Sequence, residues 1–387
     1  MAASMACMAF EDNNLPSWWR DTPPNRQRRL LASTQNGVSI TVDQRQLCNF
    51  SSNDYLGLRS HPAVIDAAST ALHHYGVGSG GSRYISGDAP LFHAMEQALA
   101  TWKGAEACLL VGSGMLANMG VLQALATRHS AIFADRLNHA SLLDGCRLSG
   151  AHLYRYPHKD LAVLERMLGK NKSDQRIIVS DGIFSMDGDE ADAAALMKLT
   201  EKYDAWLILD DAHGNGCTGE NGAGLTTKTG IQGHPRLIET GTFAKALGGY
   251  GAFVLASEAM INGFIQRLRT VIYTTALPPA IIAAMQVSLP LFQQQNLRQR
   301  LQENIYYFLR CNKGLPLLPS STPIQAFMVG DDADALGAAK QLQDAGFFIP
   351  AIRPPTVSKG TARLRITLSA MHTRPQIKAL SEALHLL

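Results

Sequence analysis

A chain of 387 residues, 46% apolar and 17% charged, is long for one core and has the composition of an ordinary soluble enzyme. Its formal net charge is +3, and its one dense basic cluster, Arg26-Gln27-Arg28-Arg29, is too short for a nucleic-acid surface and reads as the solvated face of a helix. The six cysteines are widely separated, without CxxC or zinc spacing, and read as reduced thiols of a cytoplasmic protein. Met1 to Asn14 has no basic residue before its short apolar patch and carries Glu11 and Asp12, which does not fit a signal peptide.

In chain order, Asn53-Asp54-Tyr55-Leu56-Gly57-Leu58 is turn-rich, and Gly76 to Arg83 is a glycine loop that permits close backbone approach. Ala107 to Thr127 carries no charge, yet Gly112-Ser113-Gly114 breaks it, and Asn118 and Gln123 are costly in lipid. Strand, turn and helix is the better parse. The same stretch fits G-x-G-x-x-A, with Asp135 about twenty residues on, as in a dinucleotide-binding fingerprint. Its physical content is that amides at a helix N-terminus hold a phosphate, and any phosphorylated cofactor satisfies it.

Ala131 to Ala134 reads as a strand followed by Asn138-His139-Ala140-Ser141, and Ile177 to Val179 as another followed by Ile183 to Asp189, with a hydroxyl at Ser185. Trp206-Leu207-Ile208-Leu209 is a third, buried on both faces, and Asp210-Asp211-Ala212-His213-Gly214 follows it directly. Ligands of open α/β sheets sit beyond the carboxyl ends of the strands, where a carboxylate can pair with a pyridinium nitrogen. Thr242-Phe243-Ala244-Lys245 then places one lysine among small residues and glycines, where desolvation makes it an amine able to form a Schiff base. Strands near 108, 131, 177 and 207, each followed by helical sequence, predict an α/β domain with a mostly parallel sheet.

Beyond residue 290 the texture changes. Gln293 to Arg310 is polar and helical in character and leads to a smaller α+β unit containing Ile352 to Val357 and Ala362 to Leu368. The last run alternates, so Arg363, Arg365 and Thr367 share a strand face. Either arginine can grip a carboxylate in bidentate fashion, and two solvated arginines on an edge strand are the alternative. The expected organisation is an arm over 1–50, a large domain over 51–290 and a small domain over 291–387.

Asn53 to Leu58, the glycine loop, Asp135 to Ser141, Phe184 to Asp189, Leu209 to Gly214, Thr242 to Lys245 and Arg353 to Thr367 together resemble, in order and spacing, the α-oxoamine synthases of the fold-type I pyridoxal phosphate enzymes. The likeness covers roughly 40–380. Asn53-Asp54-Tyr55 and Ile352 to Val357 most resemble the members that condense L-alanine with a pimeloyl thioester, on coenzyme A or an acyl carrier protein. Sister enzymes use glycine with acetyl or succinyl thioesters, and a nicotinamide-dependent oxidoreductase is the remote alternative.

The resemblance implies that Lys245 carries pyridoxal 5'-phosphate covalently and later transfers the substrate proton. It implies that Asp210 pairs with the pyridinium nitrogen, that His213 and Ser185 approach the phenolic oxygen, and that His139 stacks on the ring. Gly114, Met115 and Thr242 would hold the phosphate, Arg365 the amino-acid carboxylate, and Thr356 would lie near substrate. A homodimer with a shared active site is implied, Tyr273-Thr274-Thr275 reaching the neighbouring subunit. Met115 stands where family members usually carry an aromatic, and Ala244 where they carry glycine or serine.

Overall fold

A computed structural model describes residues 30–387. The cluster Arg26 to Arg29, Cys7 and the segment Met1 to Asn14 lie outside the described residues. Strands β1 (Ser33–Asn36), β2 (Ser39–Val42) and β3 (Arg45–Asn49) form an antiparallel meander. Strands β4 (Ala107–Val111), β5 (Ser130–Asp135), β6 (His152–Tyr156), β7 (Gln175–Asp181), β8 (Ala205–Asp210), β9 (Leu237–Thr242) and β10 (Ala252–Ala256) form a seven-stranded sheet in the order β4-β10-β9-β8-β7-β5-β6. Only β10 runs against the others within that sheet. The four strands read from the sequence are β4, β5, β7 and β8.

Both faces of the sheet's interior are covered, which is why β4, β5, β7 and β8 carry unbroken apolar runs. Ile132, Ile177, Val179, Ile208 and Ile238 pack into one layer, while Phe133, Ile178, Leu207 and Leu209 pack into the opposite one. Each such side chain contributes roughly 1.5–3 kcal/mol by leaving water. Helices α1 (Pro62–Tyr75) and α2 (Pro90–Lys103) lead into the sheet, and α3 (Gly114–Leu125) and α4 (Ala140–Leu148) follow β4 and β5. No helix among the described residues is long and apolar enough to cross a membrane. The uncharged stretch from Ala107 is strand, turn and helix.

The C-terminal part is a three-stranded sheet with β14 (Ala362–Thr367) between β11 (Ile324–Gly330) and β13 (Ala351–Ile352), and β12 (Phe347–Phe348) joins the N-terminal meander beside β3. A central position buries every residue of β14, so Arg363 and Arg365 are not on an edge strand and neither is solvated. A third core, including Phe50, Tyr55, Phe92, Phe243, Leu364 and Ile366, fastens this part to the large sheet.

The dinucleotide fingerprint fails on topology. A Rossmann unit needs β4 and the next strand to be parallel neighbours, but β4 pairs only with the antiparallel β10, and β5 lies toward the far end of the sheet. Asp135, the expected ribose ligand, is buried and spends its oxygens on the amides of Leu137 and Lys159 and on His158.

Beneath the carboxyl end of β8, the fully buried Lys103 reaches Asp211 (3.3 Å), Asn215 Oδ1 (2.7 Å), the Ala223 carbonyl (2.5 Å) and Glu239. One ammonium serves two carboxyls there. Burial, with Glu239 adding to it against the pull of Lys103, raises Asp211 to about 7. Lys103→Met leaves both carboxyls uncompensated and should cost about 3–5 kcal/mol in urea unfolding. Its deficit should be smaller at pH 5 than at pH 8, because carboxyls whose folded pKa is raised lose their stabilising protons as pH rises. A loss below about 1 kcal/mol would show that the cluster is dispensable.

Candidate active site

The carboxyl ends of β5, β7, β8 and β9 deliver side chains to one point, tied laterally by backbone. The His139 amide donates to Asp181 Oδ2 at 2.6 Å, Gly182 N to the Asp210 carbonyl at 2.7 Å, and Asp211 N to the Thr240 carbonyl at 2.9 Å. Gly216 has φ +78°, and a Cβ there would meet the Ala246 Cβ at 2.6 Å. The loop after β8 can therefore close on the lysine loop only with glycine at that position.

These loops enclose a cavity of about 220 Å³ lined by Gly114, Met115, Asn118, His139, Ser185, Asp210, His213, Thr242 and Lys245 among others. Lys245 is half-buried, and its Nζ makes no hydrogen bond or ion pair among the described residues. Burial pulls its pKa down to about 8 against the opposing pull of Asp210 and Asp181, with the Arg365 charge adding to the fall. Asp210 is anchored through both oxygens, Oδ2 by Asn118 Nδ2 (2.6 Å) and Oδ1 by the Ala212 amide (2.9 Å). Asn118 is itself fixed by Ser141 (2.8 Å) and Thr240 (2.7 Å). Burial, with repulsion from Asp210, holds Asp181 well above the usual carboxylate range.

His213 is buried, and burial together with the charges of Lys245 and Arg365 depresses its pKa strongly. Its Nδ1 meets the Tyr55 hydroxyl at 2.6 Å. A phenol donating to Nδ1 leaves the imidazole proton on Nε2. His139 caps α4, its Nδ1 lying 2.7 Å from Ser141 Oγ, and burial lowers its pKa. At the start of α3 the Ser113 hydroxyl caps the Leu116 amide (3.3 Å), which leaves the amides of Gly114 and Met115 at the cavity wall. Met115 is half exposed there. The Thr242 hydroxyl donates to the Gly251 carbonyl at 2.8 Å and accepts from the Ala244 amide at 3.2 Å, so it braces its own turn.

Arg363 and Arg365 separate by function of position. Arg363 pairs with Asp187. Arg365 donates from Nε to the Ser185 carbonyl (2.5 Å) and reaches Asn53 Oδ1 (3.3 Å), both residues lining the Lys245 cavity. Thr356 lines a second cavity of about 650 Å³, which shares His139 and Ser185 with the first. The residues proposed from the sequence to hold cofactor or substrate therefore lie at one of these two cavities or, for Arg365, beside them, whereas Thr274 and Thr275 line neither. Asn118, Asp181, Ser141 and Tyr55 were given no site role from the sequence, although Tyr55 and Ser141 lie in motifs it named. Asn118 had a visible signal, a polar residue on an otherwise apolar helix.

The chain matches the class I and II aminotransferase family over residues 45–384. It is 46% identical to the 8-amino-7-oxononanoate synthase of Saccharophagus degradans over 366 residues, spanning 93% of this chain and 92% of that one. The chain belongs to the 8-amino-7-oxononanoate synthase family. A solved 8-amino-7-oxononanoate synthase from Francisella tularensis superposes with a TM-score of 0.77 at 31% identity, covering 88% of this chain and 97% of that one. Serine palmitoyltransferase from S. paucimobilis, with bound PLP, superposes with a TM-score of 0.88 at 27% identity over 92% and 91% of the two chains. The fold is that of fold-type I pyridoxal phosphate enzymes, a mostly parallel seven-stranded sheet with a smaller α+β part.

In the cofactor-free protein, reductive methylation of Lys245 followed by peptide mapping should show a midpoint near pH 8, because the neutral amine is the reactive form. A midpoint near 10, that of an exposed lysine, would contradict the desolvated environment.

Proposed function

We propose that the protein binds pyridoxal 5'-phosphate through Lys245 and condenses L-alanine with a pimeloyl thioester to give 8-amino-7-oxononanoate, carbon dioxide and the free thiol, a step of biotin biosynthesis. The observation that carries this reading is an unpartnered, desolvated amine beside an anchored carboxylate, in a cavity that shares His139 and Ser185 with a larger one. The residues fit the cofactor. Gly114 and Met115 offer first-turn amides to its phosphate, Asp210 a fixed carboxylate to its ring nitrogen, and His213 and Ser185 donors to its phenolic oxygen. His139 has a ring to lay on its face.

When bound, the cofactor supplies an electron sink for negative charge at Cα of the amino acid. Lys245 takes the Cα proton at Nζ and returns one to the product, which suits an amine with a pKa of about 8. Asp210 keeps its orientation through Asn118 and the Ala212 amide while charge develops. Arg365, held by the Ser185 carbonyl and Asn53, orients the carboxylate of alanine. Thr356 lines the cavity for the acyl group, whose volume exceeds what an acetyl group needs and so favours the longer chain over the glycine and acetyl thioester reading.

We keep 51–290 as the large domain that holds the cofactor and 291–387 as a small α+β domain, after an arm over 1–50 of which residues 30–50 are described. Free cysteines at 48, 108, 146, 217 and 311 fit a reducing, cytoplasmic setting. A homodimer sharing its active sites accounts for Val77, Ile85 and Tyr273, which are 83%, 86% and 71% exposed. Their loops adjoin, since the Ser79 hydroxyl donates to the Ala276 carbonyl at 2.9 Å.

The deciding experiment is thiol release by the pyridoxal phosphate-loaded protein with L-alanine and pimeloyl-CoA, run beside glycine and acetyl-CoA. Preference for the first pair is expected, with turnover lost in Lys245→Ala; preference for the second pair, or retained turnover in the variant, refutes the proposal. Sedimentation should give a dimer under assay conditions. A fully active monomer would rule out the shared site.

A further inference from the structure

Arg136 and Arg155 both line the cavity of about 650 Å³ and are both solvent-exposed. Arg155 donates from Nη2 to the Arg136 carbonyl at 2.5 Å, which fixes the second guanidinium beside the first residue's backbone. Neither guanidinium pairs with a carboxylate among the described residues. The nearest acid in sequence, Asp135, is committed to Leu137, Lys159 and His158. Arg363 in the same cavity is neutralised by Asp187, and Arg365, which does not line this cavity, is held beside the Lys245 cavity by Ser185 and Asn53. Two cations thus remain uncompensated at a cavity whose other walls include Leu137, Leu143, Phe184, Met186 and Val357.

A slot with an apolar stretch along Leu137, Leu143, Phe184, Met186 and Val357, a wall shared with the Lys245 cavity at His139 and Ser185, and unpaired guanidinium groups matches an amphipathic ligand, a methylene chain ending in an anion. Accepting the acyl donor read above, we infer that Arg136 and Arg155 are specificity-determining residues that pair with the terminal carboxylate of a dicarboxylic acyl chain. Asn138, Thr356, Ser358 and Thr361 in the same lining offer partners to the amides of a carrier's arm as well, and the two donors of the test below separate these occupants. The methylene chain leaves no polar group unpaired there. Because both guanidinium groups are exposed, water solvates them when the ligand end is uncharged, so the discrimination comes from the charge pairing gained with the free acid and is moderate.

The test is kcat/KM for pimeloyl-CoA and for its ω-methyl ester on the same coenzyme A, measured with pyridoxal phosphate-loaded enzyme and saturating L-alanine. The parent should prefer the free acid. In the Arg136→Ala, Arg155→Ala double variant, kcat/KM for the free acid should fall roughly tenfold or more while the ester value is little changed. Arg136→Gln, at a side chain without a hydrogen bond among the described residues, should give the same direction with the fold undisturbed. Equal losses with both donors would assign the arginines to the carrier's phosphates or to structure and overturn the inference, and so would undiminished use of the free acid by the variants. A parent enzyme that releases thiol from neither donor overturns the acyl-transfer reading itself, and this inference with it.

Discussion

An amine kept out of water among buried carboxylates is the constraint on which this molecule depends. A lysine so placed needs nearby negative charge to exist as ammonium and needs desolvation to lose its proton near neutral pH. Lys245 has both, because burial outweighs the pull of Asp210 and Asp181 and leaves its pKa at about 8. Burial pushes Asp181 upward, and repulsion from Asp210 adds to it. Each group is thus adjusted by the others, and moving any one of them by an ångström would alter the rest. This explains why so much of the surrounding polar structure holds position: Asn118 braces Asp210, Ser141 and Thr240 brace Asn118, and Tyr55 orients His213.

That arrangement rests in turn on the sheet. Four neighbouring strands end at the same level, so residues distant in sequence arrive within hydrogen-bond reach without any long loop. Stiffness comes from below, where Lys103 joins α2 to the turn after β8 and to Glu239 on β9. A buried ion cluster is a poor source of net stability compared with apolar packing, yet it fixes register, since only one arrangement satisfies its charges. The C-terminal part reaches the site by a different device: Gly188, at φ +77°, has no room for a side chain against the Ile324 carbonyl, which lets the Ser185 loop seat directly against β11.

The sequence made the large sheet legible where strands are buried on both faces. The runs at β4, β5, β7 and β8 are apolar throughout, and each hands over to a polar cluster. It concealed β6, an edge strand carrying His152 and Arg155, and β9, whose Glu239 and Thr240 break the apolar pattern because they serve the buried polar network; β10, apolar and buried throughout, was also not read, since no polar cluster follows its short run. The cavity residues were legible because glycines and acids after a strand have few other reasons to occur. Asn118 was visible as a polar residue on an apolar helix, but nothing in spacing tells which strand end its amide will meet. Periodicity put Arg363 and Arg365 on one face without distinguishing them; only the partners do, Asp187 for one and the Ser185 carbonyl for the other.

The arginines show how a single side-chain type is divided among tasks by what lies opposite. Arg363 meets a carboxylate of its own chain and is spent on holding the Ser185 to Asp189 loop. Arg365 meets a carbonyl and an amide oxygen, neutral acceptors that position a guanidinium without cancelling its charge, so it remains able to take an anion. Arg83 meets both Asp88 and Glu96 and is fully neutralised within the structure. Arg155 meets only a backbone carbonyl and resembles Arg365 in this respect. A guanidinium oriented by neutral acceptors and left without a carboxylate is an anion site held ready, whereas one oriented by a carboxylate is a strut. By that criterion Arg365 and Arg155 are the anion sites held ready, and Arg136, whose backbone carbonyl orients Arg155, adds its own charge beside it.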